Sequence, residues 1–262
     1  MIRLENVSYE SGGGMVEDIS FHLHRGETAV IMGPKGSGKT DFWQVCVGMR
    51  PPISGEVFLI GESIYTGAGE VADWFPQKVG IISQQMTLLD NLTVLANIGL
   101  PLSYHMGLTQ PEMRQRAMPV LEKFGLAPVA EKFPHEISDI DTKMTMMARA
   151  AISGQTLLVL DEPTAGDIDP VSFMKIVDSI NRFRSEGMSL LITTTSPSLA
   201  SMKGAACYYL LDCTLIPHSS VMETRDPLVI EYFSQIRNYT ERQSREIGEF
   251  YKSILYSWKN AQ

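Results

Sequence analysis

The feature that most constrains this chain is an eight-residue glycine-rich loop at residues 33–40, which has the sequence GPKGSGKT. It follows a short apolar run typical of a buried strand, Thr28 to Met32, and precedes residues with helical spacing. Glycines let backbone N–H groups approach phosphate oxygens, and the helix start adds a positive dipole. All fixed positions of the phosphate-binding loop pattern are present. The loop therefore predicts an α/β chain built around a phosphate site.

A nucleotide with Mg²⁺ is the ligand that this loop predicts. The residues expected to hold it are Gly33, Pro34, Lys35, Gly36, Ser37, Gly38, Lys39 and Thr40. Lys39 is expected to pair with the β and γ phosphates, and the Thr40 hydroxyl to bind Mg²⁺. A second apolar run at residues 157–160 leads into Asp161, a further Mg²⁺ ligand, and Glu162, the candidate catalytic base for the attacking water. ATP and Mg²⁺ are thus the expected cofactors.

Hydrophobic periodicity organises the rest of the chain. Alternating apolar residues predict two strands near the N-terminus, and β–α–β alternation elsewhere predicts a parallel sheet covered by helices. Residues 91–152 have helical spacing and are expected to form an inserted helical subdomain. The predicted organisation is a P-loop ATPase core at 1–90 and 153–225, with an N-terminal antiparallel β-subdomain, and a C-terminal helical extension at 226–262.

Composition excludes several classes of protein. The chain has 262 residues, a formal net charge of −8 and a sequence pI near 5.2. This acidic balance does not provide the basic surface expected of a protein that coats nucleic acid, so no nucleic-acid partner is predicted. Its 3 cysteines form no CxxC pair and predict neither a disulfide framework nor a zinc site. Because no apolar run approaches bilayer length, a separate protein must supply any membrane segments.

With these motifs in place, the sequence resembles the ATP-binding subunits of ABC transporters from residue 1 to about residue 233. The resemblance puts Tyr9 where the family stacks an aromatic ring on adenine. It also implies that Gln84 touches Mg²⁺ and senses the membrane subunit, and spacing to Leu88 and Leu89 favours Gln84 over Gln85. Asp169, followed by Pro170, resembles the family's D-loop.

The sequence departs from the family pattern in four places, and the losses cluster around one expected γ-phosphate. The signature motif falls on residues 137–141, ISDID, where only Ser138 is kept. In the family this segment closes over the γ-phosphate of the opposite subunit, so Asp139 and Asp141 would repel that anion. Thr195 stands in place of the switch histidine, and Asp41 in place of a small hydroxyl residue. The D-loop is one residue longer than usual. Two explanations of these departures compete: random sequence drift in a functional homodimer, or a specialised subunit that is not equivalent to its partner and hydrolyses ATP weakly. The departures favour the specialised subunit.

The resemblance also implies partners and a location. The expected partners are an integral membrane permease and a second ABC ATPase, in a homodimer or a heterodimer. The segments after Asn97 and around Thr224 resemble ATPases of Mla-type phospholipid transporters, which adds a periplasmic or membrane-anchored lipid-binding subunit. The expected location is the cytoplasmic face of the inner membrane, as a peripheral protein. The alternative is an ATP-binding regulatory module without productive transport turnover.

The C-terminal segment carries one further pattern. Apolar residues recur there at the spacing of a single helix face: Ile247, Phe250, Tyr251, Ile254, Leu255 and Trp258. This face is expected either to pack on its own domain or to bind a partner, and the sequence leaves both open.

Overall fold

Strands and helices alternate along the residues that the computed structural model describes, which are 1–64, 78–83, 86–166, 168–221, 230–232 and 234–235. The strands are β1 (Ile2–Ser11), β2 (Gly14–Leu23), β3 (Thr28–Met32), β4 (Ser54–Leu59), β5 (Glu62–Ser63), β6 (Val79–Ile82), β7 (Leu157–Asp161), β8 (Ser189–Thr194), β9 (Ala206–Leu211) and β10 (Thr214–Pro217). The helices are α1 (Lys39–Cys46), α2 (Val94–Met106), α3 (Gln110–Lys123), α4 (Asp139–Ala151), α5 (Pro170–Ser185), α6 (Pro197–Ala200) and α7 (His218–Val221). Every apolar run described above as a strand lies within one of these strands.

A six-stranded sheet in the order β10-β9-β3-β8-β7-β6 forms the centre of the fold. The pairs β3/β8, β3/β9, β7/β8 and β6/β7 are parallel. All residues of β3, β7 and β8 are buried, as expected of parallel strands covered on both faces. The sheet brings the carboxyl ends of β3, β7 and β8 together, which is the edge where ligands bind in open α/β sheets.

Alternate residues of the parallel strands enter two different cores. Ile31 and Val159 pack with α1 and with the strands β1, β2 and β4. Val30 and Leu160 face the opposite way and pack with the helices α2, α4 and α5. Because successive strand residues point to opposite faces, one apolar run per strand serves both cores.

The second sheet is antiparallel, has the order β2-β1-β4-β5, and covers one face of the first core. Together the two sheets and the surrounding helices confirm the predicted α/β fold with an antiparallel N-terminal part.

Among the described residues, three α-helices lie between β6 and β7, and a hydroxyl residue is the N-cap of each. Thr93, the N-cap of α2, accepts a hydrogen bond from the Ala96 N–H at 3.2 Å. Thr109 and Glu112 form a capping box at the start of α3. Ser138 is the N-cap of α4. These helices fall within the predicted helical subdomain, whose bounds stay a prediction.

The chain divides into two compact units, Met1–Leu215 and Ile216–Gln262. In the second unit the structure describes α7 and five further helical residues between 230 and 235. The apolar positions from Ile247 to Trp258 lie outside the described residues, so the C-terminal helical extension also stays a prediction. Within the described residues, none of the helices combines the length and apolarity needed to cross a bilayer.

Candidate nucleotide-binding site

The glycine-rich loop, residues 33–40, joins β3 to α1 and has a shape that larger residues would prevent. Gly38 has a φ of +88°, and a Cβ on it would lie 2.6 Å from the Ser11 Oγ. A Cβ on Gly33 would lie 2.4 Å from the carbonyl oxygen of Leu210. Side chains at these two positions would therefore displace the neighbouring strands, and the cradle depends on glycine.

Lys39 is buried at the base of this loop, with 6% of its surface exposed. Its Nζ donates hydrogen bonds to the carbonyl oxygens of Gly33 and Pro34, both at 2.9 Å. The same Nζ lies 3.5 Å from the Glu162 Oε1. Burial lowers the pKa of Lys39, and the Glu162 carboxylate opposes this shift. The loop thus holds one ammonium at its centre, where an anionic phosphate would gain most from it.

The residues of the loop fit the phosphates of a nucleotide. Gly38 is the N-cap of helix α1 and provides no side-chain hydrogen bond, so the first N–H groups of the helix keep their capacity to bind an anion. The Ser37 hydroxyl is buried and finds no hydrogen-bond partner among the described residues. Pro34, Lys35 and Gly36 are exposed at the mouth. A ligand rich in acceptor oxygens would satisfy these donors.

Asp161 ends β7 and is buried directly beside the loop. The Thr40 Oγ1 donates a hydrogen bond to the Asp161 Oδ2 at 3.2 Å, and the Thr193 Oγ1 donates to Oδ1. A carboxylate and a hydroxyl side by side are oxygen ligands of the type that Mg²⁺ prefers. Sequence reasoning missed Thr193, although the parallel register that pairs it with Asp161 across β7 and β8 is a signal that could have found it.

Glu162 follows Asp161 in a strained backbone conformation. Its φ is +49°, uncommon outside glycine, and its N–H donates to the Thr193 carbonyl at 2.9 Å. Its Oε2 accepts hydrogen bonds from the Thr195 N–H at 3.0 Å and from the Thr195 Oγ1 at 3.3 Å. Thr195, at the position of the family's switch histidine, therefore contacts the candidate base directly.

Asp41 adds a carboxylate to the first turn of α1, and the fold neutralises it. Arg50 forms an ion pair with Asp41, and both side chains are partly exposed. Without this cation, a negative charge at the start of α1 would oppose phosphate binding, because anion binding there depends on the positive end of the helix dipole.

Tyr9 is wrongly predicted as the adenine-stacking residue. None of its surface is exposed, and its ring packs in the core formed by β1, β2, β4 and α1. Burial raises the pKa of Tyr9 above its ordinary value. The residue of β1 that lies against the loop is Ser11, two positions later on the same face. The sequence showed the alternation but not how far along the strand the core ends.

Two expectations fall on residues outside those described. Gln84, the expected Mg²⁺ contact and membrane-subunit sensor, is one of them. Asp167, in the lengthened D-loop, is the other. Ser83 and Met86, which flank the glutamine pair, line a cavity that Asp161 and Glu162 also line. The role of Gln84 therefore stays a prediction.

The Ser138 hydroxyl is engaged within its own helix. It accepts a hydrogen bond from the Asp141 N–H at 3.2 Å and donates one to the Asp141 Oδ2 at 2.7 Å. Asp139 and Asp141 both lie in the first turn of α4. This helix start is therefore capped from within and negatively charged.

A cavity of about 460 Å³ lies between the helical insert and the carboxyl edge of the sheet. It is lined by the ends of β6 and β7, the start of α4 and the segment that leads into α5. Lys143 on α4 donates a hydrogen bond across it to the Ala165 carbonyl at 2.8 Å. This bond ties the α4 helix to the D-loop segment of the same chain.

A buried polar network fixes the segment before α2 to the helices. Asn97 is fully buried, and its amide contacts Leu89 through both its oxygen and its nitrogen, at 2.8 and 3.0 Å. Arg149 on α4 donates to the Thr87 carbonyl at 3.0 Å and approaches the Asn97 Oδ1 at 3.4 Å. Burial lowers the pKa of Arg149. This network positions the residues that follow Gln84.

With this geometry established, comparison with known proteins identifies a family. Residues 16–165 match the family described as ABC transporter. The chain is 32% identical over 226 residues to the uncharacterized ABC transporter ATP-binding protein YknY of Bacillus subtilis, covering 84% of this chain and 97% of that protein. It is 29% identical over 205 residues to the cell division ATP-binding protein FtsE of Escherichia coli K12, covering 78% of this chain and 91% of FtsE.

Solved structures agree with the sequence relatives. The dimeric post-hydrolysis structure of the ATP-binding cassette MJ0796, bound to ADP and Pi, has a TM-score of 0.69 and 26% identity, and the match covers 81% of this chain and 95% of that one. A structure described as the ATP-binding subunit of an ABC transporter has a TM-score of 0.71 at 20% identity, covers 90% of this chain and 99% of that one, and supports the fold alone.

Proposed function

This chain is an ATPase of the ABC transporter family, and we propose that it drives substrate movement through a separate integral membrane permease. The proposed cycle is ATP binding, closure against a second ATPase, hydrolysis and release. ATP would bridge the two subunits and the bridge would disappear on hydrolysis, which is how such closures are reversed.

One observation carries this proposal: the buried Lys39 ammonium, the Asp161 carboxylate and the Glu162 carboxylate meet at one edge of the sheet. Lys39 lies 3.5 Å from Glu162, and Thr40 and Thr193 both donate to Asp161. Three strands and one helix are needed to bring these groups together, and two of the groups are charged and buried. A phosphate-anhydride ligand accounts for all of them at once.

Each residue has a chemical task in this proposal. Lys39 and the loop N–H groups neutralise the phosphates. Thr40, Asp161 and Gln84 would hold Mg²⁺, which would supply charge neutralisation at the phosphate oxygens. Glu162 accepts a proton from the attacking water. Thr195 holds the Glu162 carboxylate through its N–H and hydroxyl, so the base has a fixed orientation without a histidine.

The start of α4 supports weak or asymmetric hydrolysis. In the family, the segment at Ser138 closes over the γ-phosphate of the opposite subunit. Here the Ser138 hydroxyl already donates to Asp141, and two carboxylates lie where an anion would have to approach. We infer a dimer with a second cassette, identical or different, in which the site closed by this chain is the weaker one.

The finer partners follow from the sequence resemblance and remain proposals. They are a permease, a second ABC ATPase and a lipid-binding subunit that is periplasmic or membrane-anchored, in a system that moves phospholipids. The chain would lie on the cytoplasmic face of the inner membrane as a peripheral subunit. Its Mg²⁺ dependence is proposed from the side-by-side placement of Thr40 and Asp161.

A second candidate function is an ATP-binding regulator without transport turnover. The same internal capping of Ser138 favours it, because a cassette that cannot close over its partner's phosphate could still bind ATP and signal. The two candidates differ in what the chain assembles with.

Purification of this chain from detergent-solubilised native membranes, followed by mass spectrometry, separates the candidates. A retained permease is the expected result, and a second cassette with an intact signature would establish the asymmetric dimer. If no membrane protein is retained, the transport proposal is overturned and the regulator replaces it.

Turnover of the purified complex tests the chemical part. Glu162→Gln is expected to abolish the hydrolysis contributed by this chain while MgATP binding persists, because only the proton acceptor changes. Glu186→Gln, a half-exposed carboxylate paired with Lys123, serves as the matched control and should leave turnover unchanged. Unaltered hydrolysis in Glu162→Gln would remove the assigned base.

A further inference from the structure

Thr193 contacts both acidic residues at the end of β7. It is fully buried in β8 and lies directly opposite Asp161 in the parallel register of the two strands. Its Oγ1 donates a hydrogen bond to the Asp161 Oδ1, and its carbonyl oxygen accepts a hydrogen bond from the Glu162 N–H at 2.9 Å. The contact with Glu162 depends only on the backbone, whereas the contact with Asp161 depends on the hydroxyl of this one side chain.

The two oxygens of the Asp161 carboxylate have different surroundings. Oδ1 accepts the hydrogen bond from Thr193 inside the sheet, and Oδ2 accepts one from the Thr40 Oγ1 at the phosphate-binding loop, at 3.2 Å. An ionised carboxylate only accepts hydrogen bonds, so both hydroxyls act as donors here. Thr40 is the expected Mg²⁺ ligand of the loop. The bond from Thr193 therefore occupies one oxygen and leaves Oδ2, the oxygen beside Thr40, to face the cation.

Divalent cations differ in how they use a carboxylate. Mg²⁺ demands octahedral geometry and keeps several waters, whereas Ca²⁺ is larger, takes more oxygen ligands and often binds both oxygens of one carboxylate. To offer both oxygens to a cation, Asp161 would have to release the hydrogen bond from Thr193. The buried Thr193 hydroxyl would then lose its acceptor, which costs free energy. Thr193 thus disfavours the mode of binding that suits Ca²⁺ best.

We propose that Thr193 is a positioning residue that restricts Asp161 to one cation-facing oxygen and thereby sets the selectivity of this site for Mg²⁺ over Ca²⁺. The inference rests on the proposed nucleotide function of the loop and extends it to the choice of cation. Thr193 acts through Asp161, because its own side chain is fully buried. Valine at this position would keep the β-branched shape and the backbone contact with Glu162, and would remove the donor to Oδ1.

Isothermal titration of the full chain with a non-hydrolysable ATP analogue, in Mg²⁺, in Ca²⁺ and in EDTA, tests the proposal. The wild-type chain is expected to bind the Mg²⁺ complex about tenfold more tightly than the Ca²⁺ complex, a difference that equals about 1.4 kcal/mol. In Thr193→Val this ratio should fall to about twofold or less, because Oδ1 becomes available to Ca²⁺. A wild-type ratio below about threefold, or an unchanged ratio in Thr193→Val, would overturn the inference.

Binding without a divalent cation separates positioning from damage to the fold. In EDTA, Thr193→Val should bind the analogue as the wild type does, because Thr193 acts only through a ligand of the cation. Thr193→Ser keeps the hydroxyl and should retain the wild-type ratio of Mg²⁺ to Ca²⁺ affinity.

Ser179→Ala is the matched control for the loss of a buried hydroxyl. The Ser179 Oγ donates to the Lys175 carbonyl of its own helix at 2.9 Å, so its removal should leave the ratio of Mg²⁺ to Ca²⁺ affinity unchanged. An equal change of this ratio in Ser179→Ala, or a loss of binding in EDTA in Thr193→Val, would assign the effect to general disruption and overturn the inference.

The outcomes distinguish this inference from the proposed function. If the chain binds the analogue but selects its cation independently of Thr193, the inference falls and the ATPase proposal stands. If the wild-type chain retains its circular dichroism spectrum but binds the analogue in none of the three conditions, both fall.

Discussion

Helix α1 follows the carboxyl end of β3, and the start of α4 lines the cavity beside the carboxyl end of β7, yet only one of these helix starts is suited to an anion. The N-cap of α1 is Gly38, which has no side chain to cap the first N–H groups. The N-cap of α4 is Ser138, whose hydroxyl accepts a hydrogen bond from the Asp141 N–H. Each helix has the positive end of its dipole at its N-terminus, so the difference lies in what occupies the helix start.

The charges in the first turns reinforce this difference. Each first turn is acidic, with Asp41 in α1 and Asp139 and Asp141 in α4. The charge of Asp41 is neutralised by Arg50, whereas the Asp141 carboxylate accepts a hydrogen bond from the Ser138 hydroxyl of its own helix cap. The start of α1 is therefore the better candidate for a phosphate site, because its donors are uncapped and its nearby carboxylate is paired.

The largest effect should come from the centre of the α1 site. Lys39→Ala removes a buried ammonium, and a lost charge-assisted contact of about 3 kcal/mol corresponds to about a 100-fold weaker MgATP affinity. Lys203→Ala, at an exposed lysine outside the loop, is the control and should change affinity less than about threefold. Equal losses in the two variants, measured by titration calorimetry, would show that general positive charge and not the cradle binds the nucleotide.

Removing the carboxylates of α4 should make the two helix starts more alike. In the complex purified from membranes, Asp139→Asn combined with Asp141→Asn is expected to raise ATP turnover about 10- to 30-fold. Each carboxylate at about 8 Å from a phosphate, with an effective dielectric constant of about 40, costs about 1 kcal/mol. Glu136→Gln, whose carboxylate accepts the Phe133 N–H, is the matched acidic control. No increase in turnover would show that these carboxylates do not limit closure.

The hydrogen bond by which Ser138 caps α4 should contribute to the free energy of unfolding. Ser138→Ala leaves the first turn uncapped and should lower the free energy of unfolding by about 1 kcal/mol, whereas Ser138→Gly should cost only a few tenths. Chemical denaturation compares the two variants under identical conditions. If neither variant lowers the free energy of unfolding, the hydrogen bond from the Asp141 N–H to Ser138 contributes nothing to stability, and the contrast with Gly38 weakens.

The smallest effect concerns the neutralisation of Asp41. Arg50→Gln leaves this carboxylate unpaired beside the loop and should weaken MgATP binding about two- to threefold, more at low ionic strength because both groups are partly exposed. The double variant with Asp41→Asn should recover wild-type affinity. A failure of this recovery would assign the loss to other contacts of Arg50.

Much of the fold was accessible from local patterns. The buried strands β3, β7 and β8 are continuous apolar runs, and the glycine loop follows β3 as its pattern requires. Helix starts at Thr93 and Ser138 involve residue types whose capping chemistry is local. Such features depend on neighbours within a few residues, which one sequence displays directly.

The errors and omissions occur where distant segments meet. Tyr9 has the right chemistry for stacking on a base, but whether its ring faces the core or the loop depends on how β1 packs against β2 and α1. Thr193 was missed because its contact with Asp161 spans 32 residues. Asn97 was recognised only as part of a familiar segment, whereas its contacts with Leu89 and Arg149 are tertiary.

The sequence by itself determined that this chain is an α/β ATPase and predicted its phosphate cradle, because glycines, a lysine and a strand-terminal acidic pair are local requirements of that chemistry. Only the tertiary structure decided that Tyr9 is a core residue, that Thr195 donates hydrogen bonds to Glu162, and that the Ser138 hydroxyl bonds to Asp141. Burial and hydrogen-bond partners depend on the packing of distant segments, and no local pattern contains that information.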